Sequence, residues 1–187
     1  MKKVVTTLTL LALVLCIFAG CDTDKPAGAS PDTSENAEST DITLSLPDDV
    51  PSVYAVFTNK NPKPGEKTDM IVYLHNVTNL AAIDLTFSPS SSDISCEYVN
   101  GSTISGLTDN INMGVTSALY GGFVMSSVNV ETEELFTIEL TIGENCKGEI
   151  PFNISVQNLL VASDESGRDT HNIMSDVNIV PAVLTVQ

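Results

Sequence analysis

Histidines, cysteines and clustered carboxylates are the side chains from which a reaction centre would be built, and their spacing here argues against one. The 187-residue chain has two histidines, His75 and His171. In the alternating run "TDMIVYLHNV", His75 falls on the opposite parity from Met70, Val72 and Leu74, so it is expected to face solvent or an edge. His171 lies in a polar loop after Arg168-Asp169. Neither stands in metal-ligand spacing, and no nucleophile–base pair or Cys/His zinc cluster can be assembled. The acids Glu131, Glu133 and Glu134 read as a solvated turn between two strands. The segment Asp164-Glu165-Ser166-Gly167-Arg168-Asp169 lacks the alternate-position acids of a calcium loop and reads as a turn. The expectation is a protein that is not an enzyme, with no cofactor and no metal.

One carboxylate stands apart. In "NLAAIDLTFS", Ile83, Leu85 and Phe87 alternate with Ala82, Asp84 and Thr86. That is a strand with one buried face, and it puts Asp84 in the middle of the other face. Without partners for catalysis or metal binding, Asp84 is either a solvated spacer or a contact on a surface that meets another molecule. The run "LFTIELTI" alternates most cleanly. Phe136, Ile138, Leu140 and Ile142 point one way, while Leu135, Thr137, Glu139 and Thr141 point the other.

The elements that would carry these residues are strands throughout. Val53–Phe57 is followed by "TNKNPKPGEK", a turn cluster with two prolines and a glycine. Ile94–Val99 precedes an "NGS" turn, and Ile104–Val115 is ambiguous. "LYGGFVMSSV" holds Gly121 and Gly122 in strand-like surroundings, which suggests a bulge or tight bend. "EIPFNISV", "NLLVA" and "AVLTV" complete nine or ten short strands with no amphipathic helix of normal length. The expected class is all-β, a two-layer β-sandwich.

The N-terminus reads as an export signal. Lys2 and Lys3 precede an apolar run from Val4 to Ala19, too short for a membrane span. Phe18-Ala19-Gly20-Cys21 resembles a bacterial lipobox, which implies cleavage before Cys21 and lipid on its thiol; an ordinary cleaved signal is the alternative. Two or three acyl chains anchor stably where one does not. Residues 1–20 are thus a lipoprotein signal peptide. Residues 21–50, rich in Asp, Glu, Ser, Thr and Pro, form a tether, its flexible part reaching roughly 30 Å. Residues 51–187 form the folded body, long enough to bury about two-thirds of its unfolded surface. The expected location is the cell envelope, on the extracytoplasmic side, with the membrane touched only through the anchor.

Losing Lys2 and Lys3 with the signal takes the formal charge from −16 to −18. Such acidity excludes nucleic acid as a partner. Cys16 leaves with the signal, so Cys96 and Cys146 remain in an oxidising compartment. A disulfide between them is the default expectation and would contribute up to about 4 kcal/mol. Two buried free thiols are the alternative.

The order of these features is similar to a known family. "NPKPGEKTDMIVYLHNVTNLAAIDLTFS" resembles the opening of a cohesin domain: a Pro-Gly turn, an apolar ladder, an Asn-Val link, and an apolar-acid-apolar strand. "EELFTIELTIGENCKGEIPFNISV" resembles the late strand pair, and "ASDESGRD" the small turn before the final strand. The resemblance covers nearly all of Val53–Gln187. It departs after Phe87, where "SPSSSD" replaces a Tyr-Asp-Pro-like turn, and in the two cysteines.

The resemblance implies a jelly-roll sandwich of about nine strands whose exposed sheet face binds a dockerin-like protein module. Ala82, Asp84 and Thr86 match outward positions of the family's third strand. Leu135, Thr137 and Glu139 join them as outward positions by parity. Fold kinship with some carbohydrate-binding modules keeps polysaccharide open as an alternative partner. Flat aromatic platforms are scarce, however, with no Trp and four tyrosines, of which Tyr120 beside the glycine pair is the best placed. A third alternative is an envelope accessory lipoprotein that keeps only the fold.

Overall fold

A computed structural model describes residues 46–187 except 48, 165 and 167. The signal peptide, Cys21 and nearly all of the tether lie outside the described residues.

Nine strands carry the fold: β1 (Ser52–Phe57), β2 (Lys67–Pro89), β3 (Ile94–Asn100), β4 (Leu107–Met113), β5 (Ala118–Ile142), β6 (Gly148–Ala162), β7 (Thr170–Asn172), β8 (Asn178–Ile179) and β9 (Ala182–Val186). A single 3-10 turn, Met174–Asp176, lies between β7 and β8. Pairing is antiparallel except between β1 and β8.

Two very long strands make the sandwich. Residues 70–75 of β2 pair with β1, and residues 67–75 pair with residues 132–141 of β5. Residues 80–89 of β2 pair with β6, and residues 80–87 also pair with residues 118–128 of β5. Between these stretches the chain turns a corner. Asn76 and Asn79 take φ of 52° and 57°, the left-handed region that Asn tolerates best among residues with a side chain. The β2–β5 register shifts at the same place. Each long strand therefore serves both layers, as in sandwiches whose strands change sheet at a bulge. The first layer runs β8–β1–β2–β5–β3. The second runs β6–β2–β5–β4, with β7 and β9 paired to β6.

Alternation fills the space between the layers. Met70, Val72, Leu74, Ile138 and Leu140 from the first layer meet Ile83, Leu85, Phe87 and Leu159 from the second, all at or near zero exposure. Phe136 ties the two together, its ring 5.5 Å from Phe87 and 4.9 Å from Tyr120.

Several sequence expectations change. Glu131, Glu133 and Glu134 do not form a turn; they sit within β5, which runs on through them. The Gly121-Gly122 pair is not a bulge, because β5 keeps register with β2 and β4 there. The ambiguous stretch contains an edge strand, β4, and two short strands, β7 and β8, went unforeseen. Cys96 and Cys146 are free thiols in place of the expected disulfide. Cys96 lies opposite Leu140 on β3, and Cys146 is buried in the turn after β5, its Sγ 4.0 Å from Ser91 Oγ. Burial pushes the Cys96 thiol up to about 11.

Candidate binding face

The outward side of the second layer is assembled from four strands in register. Three rows cross it: Leu160, Ala82, Phe123 and Thr108; Asn158, Asp84, Gly121 and Asn110; Ser155, Thr86, Leu119 and Asn112. The parity that sends Ile83, Leu85 and Phe87 inward sends Ala82, Asp84 and Thr86 to this face. β5 reverses the usual economy of size. Its inward positions include small Ala118 and Gly122, while Leu119, Phe123 and Met125 point out, 49%, 50% and 88% exposed. Large apolar side chains gathered on one exposed strand mark an interaction surface more often than a solvated one.

Asp84 is held from one side only. Asn158 Nδ2 donates to its Oδ2 at 3.0 Å. Asn172 Nδ2 donates to Asn158 Oδ1 at 3.1 Å, and Asn172 Oδ1 accepts from the backbone N–H groups of Leu159 and Met174. That chain fixes the orientation of both amides, since each oxygen has a donor and each amide nitrogen an acceptor. Gln157 is an extra residue on β6 where the register with β2 shifts, and its Nε2 donates to Ser155 Oγ at 3.0 Å.

Gly121 leaves room beside the acid. A Cβ at this position would lie 2.9 Å from Asp84 Oδ1. The space is a hollow of about 440 Å³ lined by Asp84, Asn110, Gly121, Gln157 and Asn158, with Leu119 on its rim. On the other side of Leu119 a second hollow, of about 480 Å³, is lined by Thr86, Ser88, Asn112, Gly114 and Ser117.

The other half of the expected contact set lies elsewhere. Leu135, Thr137 and Glu139 belong to the part of β5 in the first layer, so they do not share a face with Ala82, Asp84 and Thr86. Leu135 is fully buried, because the β2–β5 register shift between Val72 and Tyr73 inserts it as an extra residue beside Phe136. Thr137 is 7% exposed, flanked in register by Ile71 and Asn100. Glu139 does point outward and pairs with Lys67, whose ammonium it holds above its ordinary range.

The same layer carries a pair of stacked tyrosines. Tyr54 and Tyr73 stack across strands with ring centroids 5.1 Å apart, and Tyr73 Oη donates to Glu134 Oε1. His75 sits on this outward side with Nδ1 2.7 Å from Thr132 Oγ1 and its Nε2 buried, so its environment is less open than its parity implied. Tyr120 is no platform. It points inward at 1% exposure with its hydroxyl donating to Asp109 Oδ2 at 3.4 Å, and burial followed by the Asp109 charge raises its pKa. Among the described residues, no group of three or more His, Cys, Asp or Glu is disposed to hold a metal ion.

Sequence parity found Ala82, Asp84 and Thr86 but missed Leu119, Phe123, Asn158 and Asn172. Leu119 and Phe123 could have been found from the run "ALYGGF", where large residues alternate with small ones. Which strands neighbour β2 is a matter of topology, and no local signal in β6 or β7 points to Asp84.

No protein-family model and no curated protein matches this chain. Solved structures do. A non-cellulosomal cohesin from the archaeon Archaeoglobus fulgidus superposes with a TM-score of 0.57 at 10% identity, covering 74% of this chain and 91% of that one. A type II cohesin domain from the cellulosome of Acetivibrio cellulolyticus gives 0.54 at 13% identity, covering 72% and 95%. A chain from a type II cohesin–X-dockerin complex of the same organism gives 0.51 at 7% identity, covering 73% and 99%. At such identities the likeness is one of architecture, and together with the jelly-roll pairing of β2 and β5 it establishes that the chain has a cohesin-like fold.

Proposed function

We propose that this chain is a non-catalytic docking module that receives a dockerin-like protein module on the outward face of its second layer. One observation carries the reading: Leu119, Phe123 and Met125 stand exposed on one strand of a four-strand face that also holds Asp84. An apolar centre with a polar margin of Thr108, Asn110, Asn112, Ser155 and Gln157 is the layout of a protein interface. The occurrence of this fold in a cohesin–X-dockerin complex supports the choice of partner. Affinity would come from a few apolar anchors, with Asp84 adding orientation through a charge-assisted hydrogen bond. Glu139, Thr137 and Leu135 are left out of the contact set on the geometry above.

The proposal includes the N-terminal reading: lipid on Cys21 anchors the chain outside the cytoplasm, and residues 21–50 hold the folded body off the membrane. Metabolic labelling with a fatty acid, lost in Cys21→Ser, tests that part.

The docking test is binding of the full chain to a panel of calcium-loaded dockerins, with cellulose and chitin in parallel. A calcium-dependent dockerin complex that disappears in Asp84→Ala and Phe123→Asp supports the reading. Retention on a polysaccharide with no dockerin complex replaces it with carbohydrate binding, and no binding to either points to an accessory lipoprotein.

A further inference from the structure

Asp84 and Gly121 together make a feature more specific than an apolar docking face. Of the two carboxylate oxygens, Oδ2 is occupied by Asn158, and Oδ1 accepts no hydrogen bond among the described residues. It is Oδ1 that faces Gly121, where the missing side chain opens the hollow of about 440 Å³. The amide chain from Asn172 through Asn158 holds the acid in this orientation, so the free oxygen is presented before any partner arrives. The remaining lining is Asn110, Asn112, Leu119, Tyr120 and Gln157, polar and apolar groups without a positive charge. Asp84 is the one acid in the three rows that cross the face.

We infer that this hollow is a specificity pocket for a single cationic side chain, an arginine or lysine, presented by whatever protein docks on the face. The inference rests on the docking reading for its biological setting, but the pocket is a property of this chain alone. The chemistry matches on three counts. A carboxylate oxygen makes charge-assisted hydrogen bonds about twice as strong as those between neutral groups, and a guanidinium or ammonium adds the attraction of opposite charges. The long aliphatic stem of arginine or lysine can lie against Leu119 while its head reaches the acid. A chain with formal charge −16 attracts cations from a distance, and the hollow gives that attraction one address. Gly121 gives Oδ1 its place, since a Cβ there would lie 2.9 Å from it and the carboxylate would have to shift.

The test uses the full chain, labelled for NMR and titrated with N-acetyl-arginine amide and, separately, with its uncharged counterpart N-acetyl-citrulline amide. The expected result is a progressive shift of the Gly121, Asp84 and Asn110 amide signals with the arginine probe, weakened by salt, and none of comparable size with citrulline. Asp84→Asn, which keeps the shape, should abolish the arginine response, and Gly121→Ala, which pushes the carboxylate aside, should weaken it. Equal responses to the two probes, no response at these amides, or a response that survives both substitutions would overturn the pocket. An absent arginine response overturns the pocket while a dockerin complex sensitive to Phe123→Asp still stands, and a silent dockerin panel leaves the arginine response standing, so the two readings fail separately.

Discussion

The two outward faces of this sandwich are built from the same two strands, yet they have opposite character. On the first layer, β2 and β5 present Tyr73 stacked on Tyr54, Glu134 bonded to Tyr73, and Glu139 paired with Lys67. Most polar and aromatic groups there satisfy one another, His75 Nε2 being buried without a hydrogen-bond partner. On the second layer, the other halves of β2 and β5 present Ala82, Asp84, Leu119, Gly121 and Phe123, with one oxygen of Asp84 unbonded and two large apolar side chains half exposed. A face whose groups are mutually satisfied contributes to stability, and one whose groups are left over is available to a partner. The corner at Asn76 and Asn79 lets one strand supply both.

The largest expected effect comes from cutting the link between the layers. Phe136→Ala removes the ring that touches both Phe87 and Tyr120, and should cost about 3–5 kcal/mol of unfolding free energy in a denaturant titration. Next is the open face. Phe123→Asp should weaken docking by about 2 kcal/mol or more, roughly thirtyfold, in calorimetry, while leaving the unfolding midpoint nearly unchanged, as exposed positions usually do. Tyr73→Ala should do the reverse. Loss of the Tyr54–Tyr73 stack costs stability, about 0.5–1.5 kcal/mol beyond the buried area, with docking affinity preserved. A Tyr73→Ala variant that loses docking would break the contrast between the faces.

A smaller effect concerns pH. The Cys96 thiol is favoured neutral in the fold, with its pKa raised by burial from 9.0 to about 11. Its contribution to stability is therefore complete below pH 9 and is lost as pH rises through about 11. Tyr54, Tyr73, Tyr98 and Tyr120 are also raised and add to the decline above pH 10. Comparing unfolding midpoints of the native chain and Cys96→Ala between pH 8 and 11 isolates the thiol: the variant should lose less stability over pH 9–10. The smallest expected effect is Glu139→Gln on the exposed Lys67 pair, which should leave both stability and docking unchanged within measurement error.

How much of this could be read from the sequence depended on whether the information was local. Alternation in "NLAAIDLTFS" assigned Asp84 to the outer face because burial of Ile83, Leu85 and Phe87 forces that parity. The same logic failed in "LFTIELTI" at Leu135, where an inserted residue shifts the phase and no side-chain pattern announces it. Parity also says nothing about which layer a strand faces. By parity Thr137 and Glu139 group with Asp84, but the corner in β2 and the length of β5 put them on the other side of the sandwich. Glu131, Glu133 and Glu134 read as a turn for their charge, yet a rim position on a continuous strand satisfies the same need for solvent. The relay through Asn158 and Asn172 required the β6–β2 and β6–β7 pairings, which join residues far apart in sequence.

Docking is assigned to the second face and not the first. The decisive measurement pairs two charge insertions in the full chain, Phe123→Asp on one face and Tyr73→Asp on the other, against one calcium-loaded dockerin that binds the native protein. Phe123→Asp should weaken the complex roughly thirtyfold or more, while Tyr73→Asp binds as the native chain does wherever it is folded. Binding that survives Phe123→Asp and is lost in a folded Tyr73→Asp protein would contradict that assignment.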